Sequence, residues 1–307
     1  MALIEILVPC YNYGRYLPDC IGSIAAQSER DWRAVIIDDA SPDGSAAVAH
    51  RLAQQDPRVV VIAHAANRGH IATYNEGIAQ AMAPFLMLLS ADDMLAPGAL
   101  ERALTVMRQH PRVALTYGRS LDFDGTAPTV TDPAAAGWRV QPGDRFIAEL
   151  CGKAIDFVPT PSVILRTQAQ QAAGHYRPEL PHAGDLEMWL RVALHGAVAE
   201  TNAVQCFKRV HGANMSTAAD DNVLRDYVQR AAAFDSFFDG PGAAMQGASR
   251  LDRLVRRRLA GRAFWTALAQ LARGNRQTAV SLLRLVGRLS PATLVTPPLG
   301  PLLRAGR

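Results

Sequence analysis

Phe85-Leu86-Met87-Leu88-Leu89-Ser90-Ala91-Asp92-Asp93-Met94 is an apolar run that stops abruptly at two adjacent carboxylates. A fully buried strand cannot carry charge in its interior, so the acids belong where the strand emerges, at the carboxyl edge of a sheet. In open α/β sheets that edge is where ligands bind. Two acids there can hold a divalent cation through oxygen, and such a cation commonly brings a phosphate or diphosphate with it. The competing reading is that Asp92 or Asp93 caps a helix starting near Pro97.

Outward from this run, the preceding chain repeats the same pattern. Ile4-Glu5-Ile6-Leu7-Val8-Pro9 reads as a core strand leading into the polar, aromatic loop Cys10-Tyr11-Asn12-Tyr13-Gly14-Arg15-Tyr16. Trp32-Arg33-Ala34-Val35-Ile36-Ile37 runs into Asp38-Asp39, and Arg58-Val59-Val60-Val61-Ile62 leads to Asn67-Arg68-Gly69. Helical periods lie between these strands, with Ile21, Ile24 and Ala25 on one face and Ile71, Tyr74, Ile78 and Ala81 on another. Strands alternating with such helices predict a mostly parallel sheet covered on both faces. Side by side, the loops at Tyr11-Asn12, Asp38-Asp39 and Asp92-Asp93 would form one polar cleft.

Further on, 97–110 is predicted helical, 113–117 a strand with a short second one at 120–124, and 125–143 a loop over the site. A helix at 144–151 and a strand at 161–166 follow. Gly184-Asp185-Leu186-Glu187-Met188-Trp189-Leu190-Arg191 opens a helix with Asp185 at its start, where an N-cap is the plain alternative. A strand over 198–207 precedes Lys208-Arg209-Val210-His211-Gly212-Ala213-Asn214-Met215-Ser216, and then the character changes to helices at 221–238, 249–272 and 276–289 with an irregular tail. The domains are therefore placed at 1–218 and 219–307.

Composition is that of an ordinary globular protein with a packed core. No apolar run is long enough to cross a membrane and the N-terminus lacks signal-peptide character, so the expected location is cytoplasmic. Cys10, Cys20, Cys151 and Cys206 are scattered without metal spacing and read as reduced packing residues. The net charge of +4 is carried almost wholly by Arg, Lys occurring only at 153 and 208. We read this as codon bias rather than phosphate contact, and expect no nucleic-acid partner. From Arg250 onward, however, Asp252 is the one acid among about a dozen Arg. A solvated face or contact with an anionic membrane would both account for that.

There is no G-x-G-x-x-G after a strand, no P-loop, no H-E-x-x-H and no G-x-S-x-G elbow. What remains is a carboxylate-bearing sheet edge without an obvious nucleophile. Val8-Pro9-Cys10-Tyr11-Asn12, Asp38-Asp39-Ala40-Ser41-Pro42-Asp43-Gly44-Ser45, Asn67-Arg68-Gly69 with Asn75-Glu76-Gly77, and Ser90-Ala91-Asp92-Asp93 resemble, in order and spacing, the motifs of family 2 glycosyltransferases over about residues 3–217.

The resemblance implies the GT-A fold, a Rossmann-like, mostly parallel mixed sheet with helices on both faces, here with a C-terminal helical extension. It implies inverting transfer of a sugar from a nucleotide diphosphate sugar, most commonly a UDP-sugar, to a hydroxyl of a glycan or lipid-linked acceptor in bacterial surface polysaccharide synthesis. Pro9, Tyr11 and Asp39 match positions holding base and ribose, and Arg68 one near the base or diphosphate. Asn12, Asn67, Gly69, Asn75, Ala91 and Trp189 are grouped with them as substrate-binding. Ser90-Ala91-Asp92 matches the D-x-D motif, so Asp92 is the expected ligand of Mn²⁺ or Mg²⁺, while Ser90 departs from the motif by bringing no charge. Asp185 matches the catalytic base, and His211 the late His that meets metal or diphosphate. The Arg-rich C-terminal helices would allow peripheral contact at the inner face of the membrane. A nucleotidyltransferase, or a nucleotide-sugar binding protein without activity, is the alternative, though the first loop is not a Gly-rich phosphate loop.

Overall fold

The computed structural model describes residues 2–129, 137–212, 214 and 222–298. The chain divides into two compact units, and the sheet belongs to the first, made of Met1–Gly143, Val158–Glu179 and Val192–His211. It opens with β1 (Ile4–Cys10), α1 (Leu17–Ala25), β2 (Trp32–Asp38), α2 (Ser45–Gln55), β3 (Val59–Ala63), α3 (His70–Gln80) and β4 (Phe85–Leu88). The apolar runs and helical periods of the sequence thus become alternating strands and helices. β5 (Met94–Leu95), α4 (Ala99–Gln109), β6 (Val113–Phe123) and β7 (Trp138–Gln141) follow. Beyond α5 (Gly143–Lys153) the sheet is completed by β8 (Ile164–Arg166), trailed by α6 (Thr167–Ala173), and, after α7 (Gly184–Ala193), by β9 (Ala197–Arg209).

Among the described residues the sheet has nine strands in the order β3-β2-β1-β4-β8-β6-β9-β5, with β7 also on β9. β1 runs parallel to β2 and β4, and β2 to β3, so their carboxyl ends share one edge. β8 is antiparallel to β4 and β6, and β6 is parallel to β9. β1, β2 and β4 are buried almost throughout, as strands covered on both faces must be. Gly77 in α3 shows how closely that cover fits: a Cβ there would lie 2.7 Å from Leu7 Cδ1 and 2.9 Å from Ile37 Cδ1.

Several expectations are corrected. The stretch 125–143 is not all loop, since Trp138–Gln141 pairs antiparallel with Thr201–Val198; 130–136 lie outside the described residues. β6 is one continuous strand, whose register with β9 shifts between Val113 and Leu115 and again from Tyr117 to Ser120. Asp93 does not cap a helix: β5 intervenes, and α4 begins after Gly98 in the left-handed region at φ 70°. The tail also contains a short helix, α11 (Ala292–Val295), after α8 (Asn222–Phe238), α9 (Ala248–Ala272) and α10 (Arg276–Leu289).

The second unit comprises Asp144–Phe157, Leu180–Arg191 and Gly212–Arg307. α9 and α10 pair across a turn at Gly274, where φ is 85°, and bury Val255, Leu259, Ala263, Leu282 and Val286. In α7 the Glu187 carboxylate is buried against Arg191, with the guanidinium Nη2 at 2.6 Å, and accepts from Ser236 Oγ in α8 at 3.2 Å. The boundary expected at 218 lies outside the described residues. No helix among them is long and apolar enough to cross a membrane.

Candidate functional site

The shared edge gathers most of the predicted residues. Register puts Cys10 beside Asp38, and the ladder continues past β4 because Leu89 and Ala91 donate their N–H groups to the carbonyls of Leu7 and Pro9. Pro9, Ser90 and Ala91 are thereby neighbours. Tyr11 and Asn12 leave β1 at the same level, Tyr11 exposed and Asn12 with φ 60°. Ala40, just after Asp39, also has positive φ, 58°. Non-glycine residues rarely adopt this conformation, and when held there they cluster at functional sites. The two loops are tied where Asn12 N–H donates to Ser41 Oγ at 3.0 Å.

Asp39 is buried and heavily hydrogen-bonded. Its Oδ1 accepts from His64 Nδ1 at 2.7 Å and from the Arg68 N–H at 2.8 Å, and its Oδ2 from the Gly69 N–H at 2.8 Å. Burial alone would raise its pKa, but these donors outweigh it and hold the carboxyl below its ordinary value. Asn67 braces the loop by donating to the Asp39 carbonyl. Gly69, at φ 83° before α3, supplies a backbone turn that a side chain would strain. Asp38, buried alongside, has an Oδ1 without a hydrogen-bond partner among the described residues.

At the other side of the edge, Ser90 Oγ donates to Asp92 Oδ1 at 2.5 Å, and Asp92 Oδ2 lies 3.1 Å from His211 Nε2. His211 is delivered by β9, whose pairing with β5 runs Arg209 alongside Asp92 and Asp93: the Arg209 N–H donates to Asp93 Oδ1 at 3.0 Å and its Nε to the Asp92 carbonyl at 3.1 Å. Burial first, and the Asp92 charge second, push Asp93 up to about 8. The carboxylate oxygen and imidazole nitrogen are donors that Mn²⁺ or Mg²⁺ accepts, and such ions typically take one or two protein groups plus phosphate oxygens. The two residues fit that role. Among the described residues no cluster of three or more His, Cys, Asp or Glu forms a cation cage. A cation held by Asp92 and His211 would take its further ligands from outside these side chains.

Sequence reading missed the aromatic housing of His211. Tyr16 stacks on its ring at 5.0 Å and Tyr13 meets it edge-on at 5.4 Å, while the Arg209 guanidinium lies 4.8 Å from the Tyr16 ring centre. Burial and the charges of Asp92 and Asp93 push the Tyr13 hydroxyl up to about 12. The Tyr-rich first loop was the available signal, but nothing in the sequence joins it to a histidine nearly two hundred residues later.

Of the other predicted residues, Asn75 is held by a structural partner and Trp189 is buried. Asn75 is clamped to the Tyr176 backbone, donating to its carbonyl at 2.8 Å and accepting its N–H at 2.7 Å. Trp189, in α7, is only 1% exposed and its indole N–H has no partner among the described residues. Asp185 stands in the first turn of α7, half-buried. It and Trp189 belong to the second unit, whereas the other predicted residues belong to the first.

A family model of glycosyl transferase family 2 matches residues 5–170, more than half of the chain, including Asp39 and Asp92 but not His211. The chain belongs to glycosyl transferase family 2. An uncharacterized glycosyltransferase of Nostoc sp. is 27% identical over 222 residues, covering 70% of this chain and 67% of its own length. An uncharacterized glycosyltransferase of Haemophilus influenzae is 33% identical over 118 residues, 38% of this chain and 47% of that one. The chain thus spans two thirds or less of these curated relatives. Among solved structures, Staphylococcus aureus TarS 1–349 in complex with UDP-GlcNAc has a TM-score of 0.62 at 16% identity, covering 94% of this chain and 91% of that one. A Pyrobaculum calidifontis mannosyltransferase with GDP-Man and Mn²⁺ gives 0.59 at 16% identity, covering 99% and 79%. These likenesses establish the GT-A fold of this family 2 member.

Proposed function

We propose that this family 2 member is an inverting glycosyltransferase that moves a sugar from a nucleotide diphosphate sugar, a UDP-sugar first among candidates, to a hydroxyl of a glycan or lipid-linked acceptor in bacterial surface polysaccharide synthesis. The observation that carries this reading is the Asp92–His211 pair at 3.1 Å beside a pinned Asp39 on one sheet edge. The named ligands of the solved relatives, UDP-GlcNAc and GDP-Man with Mn²⁺, support it, as does a Bacillus subtilis relative provisionally named a teichuronic acid biosynthesis glycosyltransferase.

In this reading residues 1–218 carry the chemistry and 219–307 are a helical extension. Pro9, Tyr11 and Asp39 hold base and ribose, with Arg68 toward the base or diphosphate. Asn12, Asn67, Gly69 and Ala91 shape the loops around them. Asp92 and His211 would hold Mn²⁺ or Mg²⁺, which when bound neutralises charge growing on the leaving diphosphate. Asp185 accepts the proton of the acceptor hydroxyl as it attacks the anomeric carbon from the face opposite the diphosphate, a role worth about 10²- to 10⁴-fold. Ser90 keeps Asp92 oriented through its hydrogen bond without adding charge.

The test is a panel of UDP-, GDP- and dTDP-sugars with Mn²⁺ and candidate acceptors, the product's anomeric configuration being read by proton NMR. Inversion is expected, and retention would reject the mechanism. Asp185→Asn is expected to bind donor normally while transfer falls; undiminished transfer would remove Asp185 as base. The exposed arginines of α9 and α10, among them Arg253, Arg257, Arg258, Arg284 and Arg288, suit peripheral contact with an anionic cytoplasmic membrane face. Co-sedimentation with phosphatidylserine vesicles, lost on neutralising these residues, is the expected sign.

A further inference from the structure

His64 has no assigned role, yet it joins the two residues read as nucleotide contacts. Its N–H donates to the Asp38 carbonyl at 2.9 Å, continuing the β2–β3 ladder, so its backbone is fixed. The side chain is 4% exposed and lies between two carboxylates, with Nδ1 2.7 Å from Asp39 Oδ1 and Nε2 3.0 Å from Glu76 Oε2. The same Glu76 oxygen accepts from Arg68 Nη1, and the Arg68 N–H donates to Asp39 Oδ1. Arg68, His64, Glu76 and Asp39 therefore form a closed circuit across the β2–α3 edge.

The ring bridges the two carboxylates through its two nitrogens. The circuit's one permanent cation, the Arg68 guanidinium, lies on Glu76, and the Arg68 backbone N–H lies on Asp39. Buried ion pairs of this kind contribute little net stability over apolar packing, and their best-attested use is to specify one arrangement. Here that arrangement is the rotation of the Asp39 carboxylate. Three donors occupy it among the described residues, out of about four acceptor positions available to a carboxylate. The remaining lone pair is held in a fixed direction.

We propose that His64 and Glu76 are positioning residues of the nucleotide subsite: the ring locks the Asp39 carboxylate for a donor group on the nucleotide, and Glu76 locks the exposed Arg68 guanidinium to the same frame. The inference rests on the reading of Asp39 and Arg68 as nucleotide contacts. Base recognition and the Arg68 contact are thereby one cooperative unit that depends on an imidazole touching no ligand.

The experiment is calorimetric titration of the full chain with UDP, GDP and dTDP in the presence of Mn²⁺, followed with the nucleotide bound most tightly. His64→Phe keeps an aromatic ring, a somewhat larger one, and removes both ring nitrogens; it is expected to weaken binding roughly tenfold or more, since a lost charge-assisted hydrogen bond has about that effect. His64→Gln, which keeps one donor, and Glu76→Gln, which keeps an acceptor oxygen without its charge, are expected to lose less. Thermal unfolding checks each variant's fold, and if His64→Phe does not fold, the two Gln variants decide. Native affinity in folded His64 and Glu76 variants, with Asp39→Asn still weakened, overturns the positioning role alone. Native affinity in Asp39→Asn as well, or no nucleotide bound by the native chain, overturns the nucleotide reading and the inference with it.

Discussion

The two halves of the sheet edge treat negative charge in opposite ways. Around Asp39 the carboxylate is met within the chain by His64 and by the Arg68 and Gly69 N–H groups and is held below its ordinary value, while the neighbouring Asp38 keeps one oxygen without a partner among the described residues. Around Asp92, a second buried carboxyl follows directly in sequence, and Asp93 is pushed up to about 8 by burial and by Asp92. The first half holds one carboxylate in a fixed direction by three donors. The second is short of positive charge, which suits a cation arriving with a diphosphate. The difference follows from local structure: two N–H groups before α3 converge on Asp39, whereas Asp92 and Asp93 lie on a turn closed by the Asp93 N–H on the Ser90 carbonyl, just ahead of β5 on β9.

That contrast is open to attack in order of effect. Asp92→Ala is expected to lower donor affinity roughly 10- to 100-fold in Mn²⁺ and to leave no dependence on the metal, by the usual worth of interactions with a charged group. Calorimetry with and without Mn²⁺ reads both. Asp39→Asn should cost about tenfold and cost it equally with and without the metal, because one accepting charge-assisted contact is lost. If both variants lost only the metal-dependent part, the two halves would be one site.

The pH response separates them further. Asp39 has a folded pKa below its ordinary 3.8, so its stabilising contribution is fully present above that value and is lost as pH falls through the folded one. The difference in Tm between the native chain and Asp39→Asn should therefore be flat from pH 7 to about pH 5 and shrink below about pH 4. A difference already changing near neutrality would contradict the fixed, ionised Asp39. Smallest in effect is Ser90→Asp. It replaces a donor 2.5 Å from Asp92 with a like charge, and should lower Tm without metal while raising Mn²⁺ affinity a few-fold, about 1 kcal/mol of screened attraction.

Much of this edge was legible because buried parallel strands announce themselves twice, by apolar runs and by the acids that end them. β1, β2, β3 and β4 fall where their Val, Ile and Leu runs put them, and the residues matching family motifs at Pro9 to Asn12, Asp39, Asn67 to Gly69 and Ser90 to Asp92 meet at one edge. What stayed hidden depended on distant partners. β7 is four residues in a Pro- and Ala-rich stretch, and β5 is only two; neither carries a periodic signal, and both exist because β9 offers unpaired backbone. His64 sits in a polar loop outside any motif, and its meaning appears only when α3 brings Glu76 against it. The housing of His211 by Tyr13 and Tyr16 likewise needs the first loop and the end of β9 together.

The proposal at the centre is that this sheet edge binds a nucleotide diphosphate through the pinned Asp39 on one side and a cation at Asp92 on the other. Titration of the native chain with UDP, GDP and dTDP, each with and without Mn²⁺, tests it most directly. The account predicts that one nucleotide binds in both conditions and binds at least tenfold tighter with Mn²⁺, as expected when a cation bridges Asp92 and the diphosphate. Equal affinity in the two conditions, or no binding of any of the three, would contradict it.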